Sequence, residues 1–353
     1  MKRIITVILS LAASLVVMAQ VRITTPETEL IIKADKGADL QILYFGARLS
    51  DADAANIEAA GVPGHSAYRA YGLWCASEAS LGVTHADGNL STSLKVESVM
   101  QSDVIDNSIV TKVVMKDAVY PFYVTVCYRA YQDVDMIETW TEIANLGKKP
   151  VTLTRFDSGY LPVRVGDVWL SHLHGTWAAE GLLVQEPLQR GMKVIKNKDG
   201  SRNSHTDHAE VMFSLDGKPQ ENTGRVIGAA LCYSGNYELR IDTRDTDYHE
   251  FYAGINPDNS SYKLESKEVF MTPELAFTYS DEGLSGASRN FHKWGRTYKL
   301  AHGDKLRKIL LNSWEGVYFD INEPGMDQMM ADIASMGGEL FVMDDGWFGK
   351  RNT

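Results

Sequence analysis

The feature that most constrains the fold of this chain is a change of hydrophobic period near Asp281. Before it, over about residues 21–279, apolar residues recur in short β-rich runs separated by turn residues. Examples are Ser108-Ile-Val-Thr-Lys-Val-Val-Met115, Phe122-Tyr-Val-Thr-Val-Cys-Tyr128 and Met136-Ile-Glu-Thr-Trp-Thr-Glu-Ile143. In the last of these Met136, Glu138 and Trp140 alternate with Ile137, Thr139 and Thr141, the period of a strand. Runs at 226–233, 237–242 and 275–279 continue the pattern, with Ser234-Gly-Asn236 placed to turn a hairpin between the first two. So many strands with so little helical pattern predict a mainly β fold, a large antiparallel sandwich.

After Asp281 the period lengthens. Residues 284–299 read as a helix carrying Arg289, Lys293 and Arg296, leading into a polar connection at His302-Gly-Asp304. Lys308-Ile-Leu-Leu311 is an apolar run of strand length. Met326, Met329, Met330 and Ile333 then fall on one face of a helix that Gly337-Gly338 ends. Leu340-Phe-Val-Met343 is a second apolar run, as expected for a strand covered on both faces. Strand, helix and strand in this order make a βαβ unit of a parallel sheet.

The chain starts with an address. Lys2 and Arg3 precede an almost wholly apolar stretch at 4–18, and Val17-Met18-Ala19 sets up a cut before Gln20. A secretory signal peptide cleaved after Ala19 predicts export to the periplasm or the medium, with no membrane insertion once it is removed. The alternative, a membrane anchor, is disfavoured because the run is shorter than the roughly 18–20 residues that span a bilayer. A net charge of −11, from 35 basic and 46 acidic side chains, argues against a nucleic-acid partner, which needs a surplus of Lys and Arg. Cys75, Cys127 and Cys232 form no C-x-x-C pair and suggest neither a disulfide framework nor a thiolate zinc site. Their odd number leaves at least one thiol unpaired, with burial the expected fate.

Polar chemistry gathers where the two late apolar runs end, at Asn312-Ser313-Trp314-Glu315 and Asp344-Asp345-Gly346-Trp347. In parallel α/β architectures the carboxyl ends of strands are where ligands bind. Two acids flanked by two tryptophans fit sugar recognition, since carboxylates accept hydroxyl hydrogen bonds and indole faces cover the C–H face of a ring. Asp-Asp-Gly is also an ordinary turn, and Trp314 and Trp347 could equally be packing residues. Elsewhere, His205 and His208 with Asp207 between them could suggest a metal, but such a site wants a third ligand and buried geometry, and His172 and His174 alternate on a strand as structural residues. Residues 224–235 lack the Lys and helix start of a phosphate-binding loop.

Leu310-Leu-Asn-Ser-Trp-Glu-Gly-Val-Tyr-Phe-Asp320, followed by Glu339-Leu-Phe-Val-Met-Asp-Asp-Gly-Trp-Phe-Gly349, closely resembles the start of the catalytic barrel of glycoside hydrolase family 36, the bacterial α-galactosidases. Upstream, His174-Gly-Thr-Trp177, Ser201-Arg-Asn-Ser-His205, Tyr233-Ser-Gly-Asn236, Gly254-Ile-Asn-Pro257, Thr272-Pro-Glu274 and Arg289-Asn-Phe-His292 are similar, in order, to segments of that family's N-terminal domain. The resemblance implies a galactose-mutarotase-like β-supersandwich followed by the first βαβ unit of a (β/α)₈ barrel. With the signal peptide read above at 1–19, it assigns the supersandwich to 20–283, a helical linker to 284–304 and the incomplete barrel to 305–353. By carry-over, Asp344 and Asp345 match the paired acids that bind galactose O4 and O6. Trp314 matches a tryptophan lining the sugar site, and Trp347 helps to shape it. No cofactor or metal is implied.

The implied activity is retaining hydrolysis of terminal α-linked galactose, from oligosaccharides or polysaccharides, by an enzyme whose full-length form is a homotetramer. The family's nucleophile lies in a Lys-Trp-Asp-x-Asn motif and its acid/base Asp later still, and neither is present here. A barrel needs about 250 residues, so this reading expects a chain stopping after the second strand and inactive alone. In the segment 77–90 the family's Gly-Asp-Phe-Arg pattern is missing, which leaves α-N-acetylgalactosaminidase open as a neighbouring specificity. A non-catalytic carbohydrate-binding or assembly sandwich is the alternative from another class.

Overall fold

Turn-bounded apolar runs become strands wherever their alternate residues find a second layer to pack on. A computed structural model describes residues 20–59, 65–72, 78–163, 166–245 and 248–349. The expected leader at 1–19, Cys75 and Ser77 lie outside the described residues. Two compact units divide between Trp294 and Gly295.

The first unit is built on a ten-stranded antiparallel sheet. Its spatial order is Ala179–Pro187, Trp169–Thr176, Asp207–Ser214, Val226–Leu231, Leu275–Ser280, Ile137–Asn145, Phe122–Tyr131, Ser108–Asp117 and Leu94–Gln101, with Glu268–Met271 also paired to Ile137–Asn145. A six-stranded antiparallel sheet runs Gly191–Lys196, Tyr237–Asp245, Tyr248–Ile255, Val151–Val163 and Tyr262–Leu264, and Leu81–Thr84 joins the long Val151–Val163 strand. The two sheets meet through rings. Phe213 of the larger sheet packs edge to face on Phe251 of the smaller at 5.2 Å, and Phe270 on Phe156 at 4.9 Å. Phe45, from a four-stranded sheet at the N-terminus, meets Phe277 at 5.1 Å. Each such side chain taken fully out of water contributes roughly 1.5–3 kcal/mol before entropy is counted.

Ile137–Asn145 shows how far burial goes beyond the sandwich core. Ile137 to Thr141 are all buried, so the alternation of polar and apolar residues does not mark a wet face. One face looks to the smaller sheet, where a Cβ on Gly159 would stand 2.5 Å from Thr139. The other is covered by the helix Gly283–Trp294. Glu138, on that side, accepts from Tyr131 Oη at 3.0 Å, Arg129 at 2.6 Å and the Trp294 indole N–H at 3.1 Å. Gly228 gives the helix room, since a Cβ there would lie 2.8 Å from Phe291.

Two expectations are redrawn. Ser234-Gly-Asn236 does not turn a hairpin: Val226–Leu231 pairs within the ten-stranded sheet and Tyr237–Asp245 within the six-stranded one, so the connection crosses between sheets. The reason is that each run finds its apolar partner face in a different layer. The segment expected as a linker at 284–304 is instead divided, with Gly283–Trp294 packed on the sandwich and only a π-helical turn, Gly295–Lys299, beginning the second unit. Of the cysteines, Cys127 is buried and Cys232 is exposed.

The smaller sheet also buries charge. Arg240 bridges Asp157, Glu238 at 3.1 Å and Glu78 at 2.8 Å, and its guanidinium lies 4.8 Å from the centre of the Tyr252 ring. Arg155 shares Glu238 at 3.1 Å. Alongside, Glu250 is ringed by Arg69, Tyr160 Oη and Tyr248 Oη. These bonds fasten segments 65–72 and 78–84 to the sheet. Burial pushes the Asp157 carboxyl up to about 6, against the opposing pull of Arg240 and Arg155.

The second unit has two parallel strands, Leu310–Asn312 and Leu340–Val342, in register Leu310 to Leu340 and Asn312 to Val342. The helix Glu323–Ser335 lies between them in sequence, begun by Asn322, whose Oδ1 accepts from Gly325 N at 2.9 Å, and by Pro324 in its first turn. Of its apolar face only Met326 is buried, and Met330 is 40% exposed. Leu340 and Met343 are 41% and 44% exposed, so the strand expected to be covered on both faces is not, because among the described residues this sheet has only two strands.

Two outcomes follow from this packing. Between about pH 4 and pH 6 the folded chain holds a proton on Asp157 that the unfolded chain has released. That contribution is complete below about pH 4 and lost as pH rises through 6. In urea titrations of wild type and Asp157→Asn, the difference in unfolding free energy should fall by up to about 3 kcal/mol between pH 4 and pH 7, whereas a flat difference would contradict it. Limited proteolysis of the 353-residue chain should cut within residues 295–349 before it cuts the sandwich sheets, read by mass spectrometry of the early fragments.

Candidate functional site

The parallel pair brings two sequence-distant polar clusters to the same end of one sheet. Both strands run the same way, so Asn312 and Val342 lie side by side and the residues after them share the carboxyl edge. Ser313 N donates to Val342 O at 3.0 Å, and Asp344 N donates to Ser313 Oγ at 3.0 Å, extending the pairing past the last ladder residue. Ser313 is fully buried, and its hydroxyl serves as the joint between the two strand ends.

Asp344 is held from two directions. Asn312 Nδ2 donates to its Oδ2 at 2.6 Å, while the backbone N–H of Asp345 donates to its Oδ1 at 2.7 Å. Asn312 Oδ1 accepts from Trp314 N at 2.8 Å, so one amide side chain orients both the acid and the start of the short helix Trp314–Val317. A carboxylate oxygen has two lone-pair directions, so each oxygen of Asp344 keeps acceptor capacity after these bonds. The arrangement is that of a pre-oriented acceptor for hydroxyl groups.

The Trp314 ring, half-buried, meets Phe319 at 4.9 Å and 90° and Tyr318 at 5.4 Å and 84°. Edge-to-face contacts on this scale fix a ring's plane. The turn after Asp345 needs Gly346, which has φ +102°, and where a Cβ would stand 3.1 Å from Phe319 Cα. Trp347 follows in that turn, 67% exposed and edge to face with Phe348 at 5.8 Å.

The structure therefore joins Asp344 and Trp314 through Asn312, places Asp345 beside them on the same strand end, and sets Trp347 further out. In the sequence Asn312 and Ser313 stand out only as part of the polar strand end, with no role of their own. Their signal was present, because both immediately follow an apolar run, yet amides and hydroxyls at strand ends are common and only the pairing register shows that they face Asp344. Among the other candidates, His172 is buried and pairs with Glu186 at 3.3 Å, and His174 pairs with Asp207 at 2.8 Å. His205 meets Glu180 at 3.3 Å and His208 meets Glu210 at 3.1 Å. Of the segment read as departing from the family loop, residues 78–90 are described and form the strand Leu81–Thr84 and a turn that stacks His85 on Tyr120 at 3.8 Å.

The model of the glycosyl hydrolase family 36 N-terminal domain matches residues 38–265, and the melibiase model matches 269–353. The chain belongs to glycosyl hydrolase family 36. It is 34% identical over 244 residues to the α-galactosidase AgaA of Geobacillus stearothermophilus, and 32% identical over 242 residues to the α-galactosidase Mel36A of Lactobacillus acidophilus. Each alignment takes 68% of this chain and 33% of the relative, so the matched part spans about a third of those proteins. A variant of AgaA solved in complex with raffinose superposes with a TM-score of 0.84 at 26% identity, covering 95% of this chain and 51% of that one. The mainly antiparallel sandwich with a parallel start after it, expected from the resemblance, is the architecture found.

For this family 36 chain, the brace predicts a local effect. Asn312→Ala removes a charge-assisted hydrogen bond and should weaken the strand-end pairing by roughly 1.5–3 kcal/mol. Hydrogen exchange at Ser313 and Asp344 amides should speed up by one to two orders of magnitude, while amides of Ile137–Asn145 keep their protection.

Proposed function

We propose that these 353 residues form the substrate-recognising start of an α-galactosidase that hydrolyses terminal α-linked galactose with retention, and that they bind the galactosyl group without turning it over. The reading rests on one observation above the rest: Asp344, at the carboxyl end of a parallel strand, is oriented by Asn312 and Asp345 with acceptor capacity to spare. On this reading Asp344 and Asp345 accept hydrogen bonds from the sugar's O4 and O6 hydroxyls, Trp314 lines the C–H face, and Trp347 borders the pocket. The parallel pair is then the first of the strands of a (β/α)₈ barrel. Raffinose in the related AgaA complex supports an α-galactoside oligosaccharide as ligand. Residues 1–19 direct export to the periplasm or the medium, and the full-length enzyme assembles as a homo-oligomer.

Hydrolysis with retention needs two carboxyl groups about 5–5.5 Å apart on opposite sides of the glycosidic bond. Asp344 and Asp345 are adjacent residues just past the end of one strand, not two carboxyl groups set across a bond from each other. They suit binding better than acid and nucleophile work. The sequence carries no Lys-Trp-Asp-x-Asn motif, and its Lys293-Trp294 pair is committed to the sandwich, with the indole on Glu138.

Calorimetric titration of the 353-residue protein with raffinose tests this. Binding should weaken about 10–100-fold in Asp344→Asn, the cost of losing hydrogen bonds to a charged acceptor. It should weaken by a comparable factor in Trp314→Ala. Raffinose affinity unchanged in Asp344→Asn, or release of galactose from an aryl α-galactoside at enzyme-like rates, would overturn the reading. Tighter binding of N-acetylgalactosamine than of galactose would move the specificity to the neighbouring enzyme class.

A further inference from the structure

A second polar cleft lies on the sandwich unit, apart from the residues assigned above. The hairpin formed by Trp169–Thr176 and Ala179–Pro187 sits at the edge of the ten-stranded sheet. The loop that precedes Asp207–Ser214 is clamped to it by Gly175 N donating to Thr206 O at 2.7 Å. Between hairpin and loop, Glu180, Gly181, Arg202, Ser204, His205 and His208 line an open cleft of about 570 Å³, within the range of small-molecule sites.

Its walls are prepared for a ligand of mixed hydrogen-bonding character. Glu180 Oε1 accepts from Ala178 N at 3.0 Å and meets His205 Nε2 at 3.3 Å, so the carboxylate is held in place. His208 spends Nδ1 on Glu210, and its Nε2, shielded from solvent, has no hydrogen-bond partner among the described residues. With Nδ1 engaged by a carboxylate, Nε2 is the ring nitrogen left for a ligand. Gly181, with φ +68°, passes close to that nitrogen, where a Cβ would stand 3.9 Å away. Arg202 is exposed and makes no ion pair among the described residues, which leaves its guanidinium donors uncommitted. Trp177, at the tip of the hairpin, is 77% exposed, an unusual cost for so large an apolar side chain.

Charge decides between ligand classes. An anion would meet Arg202 but also the fixed carboxylate of Glu180, and a cation would meet the reverse. An uncharged polyhydroxylated molecule satisfies donors and acceptors together, and an exposed indole nearby offers a face for its C–H surface. We propose that this cleft is a second saccharide-binding site, on the sandwich and independent of the strand-end site, which takes a neutral oligosaccharide through Glu180, Arg202 and His208 with Trp177 at its margin. The proposal does not rest on the assignment of Asp344 and Asp345.

The test uses the 353-residue protein carrying Asp344→Asn and Asp345→Asn together, so that the strand-end site is silenced, with raffinose and stachyose as probes in saturation-transfer NMR and calorimetry. Binding should persist in this background, fall at least about tenfold when either Arg202→Ala or Glu180→Gln is added, and fall less steeply with Trp177→Ala. Thermal unfolding of each variant at the parent temperature shows that the loss is local. Loss of all sugar binding in the parent double variant would overturn the proposal. So would binding indifferent to both Arg202→Ala and Glu180→Gln, or inorganic phosphate binding more tightly than either sugar with the same Arg202 dependence.

Discussion

The sandwich unit depends on a ten-stranded sheet being covered on both faces at its centre. Ile137–Asn145 has the smaller sheet on one side and the helix Gly283–Trp294 on the other, and a strand in that position can carry a charged residue only if the charge is fully bonded. Glu138 meets the condition with three donors, one of them the last residue of the helix. Removing any one donor would leave a buried carboxylate short of partners, at a cost larger than the bond itself contributes. Arg129 extends the same solution outward, lying over the Trp140 ring at 5.1 Å while it pairs with Glu138 and, at 3.3 Å, with Glu274. The helix is thus fixed by polar geometry as well as by Phe291 seated over Gly228.

What could be read from the residues alone follows from the same physics. Period-two runs bounded by turns were legible because each strand buries at least one face, and Ser108–Asp117, Phe122–Tyr131 and Leu275–Ser280 stand where the pattern put them. The pattern is silent about which sheet a strand joins, and so Ser234-Gly-Asn236, a good hairpin turn by composition, proved to be a crossing between layers. Alternation was equally silent about Glu138, Arg240, Asp157 and Glu250. A charged residue at every second position reads as a wet face, and only the partners reveal a dry one.

At the strand ends the acids and the tryptophan were legible because carboxylates and indoles are scarce beside apolar runs of strand length. Their neighbours were not. Asn312 and Ser313 acquire meaning only through the parallel register, which sets Asn312 beside Val342 and so brings its amide to Asp344 thirty-two residues on. A one-residue slip would turn Asn312 to the opposite face of the sheet and leave Asp344 without its brace, since side-chain direction alternates along a strand.

The same brace separates recognition from chemistry. A carboxylate that is to attack or to shuttle a proton needs an environment that tunes its basicity and a second carboxyl group across the scissile bond. Asp344 instead receives an amide and a backbone N–H, and both bonds fix the direction of its oxygens. Such a group is a fixed acceptor, and on the proposed reading it orders the hydroxyls of a sugar ring. Orientation by Asn312 also lowers the entropy cost of binding a hydrogen-bonding ligand there, because the acceptor is ordered before a ligand arrives. A strand-end acid held this way gains selectivity for the direction of a donor, at the expense of its own mobility.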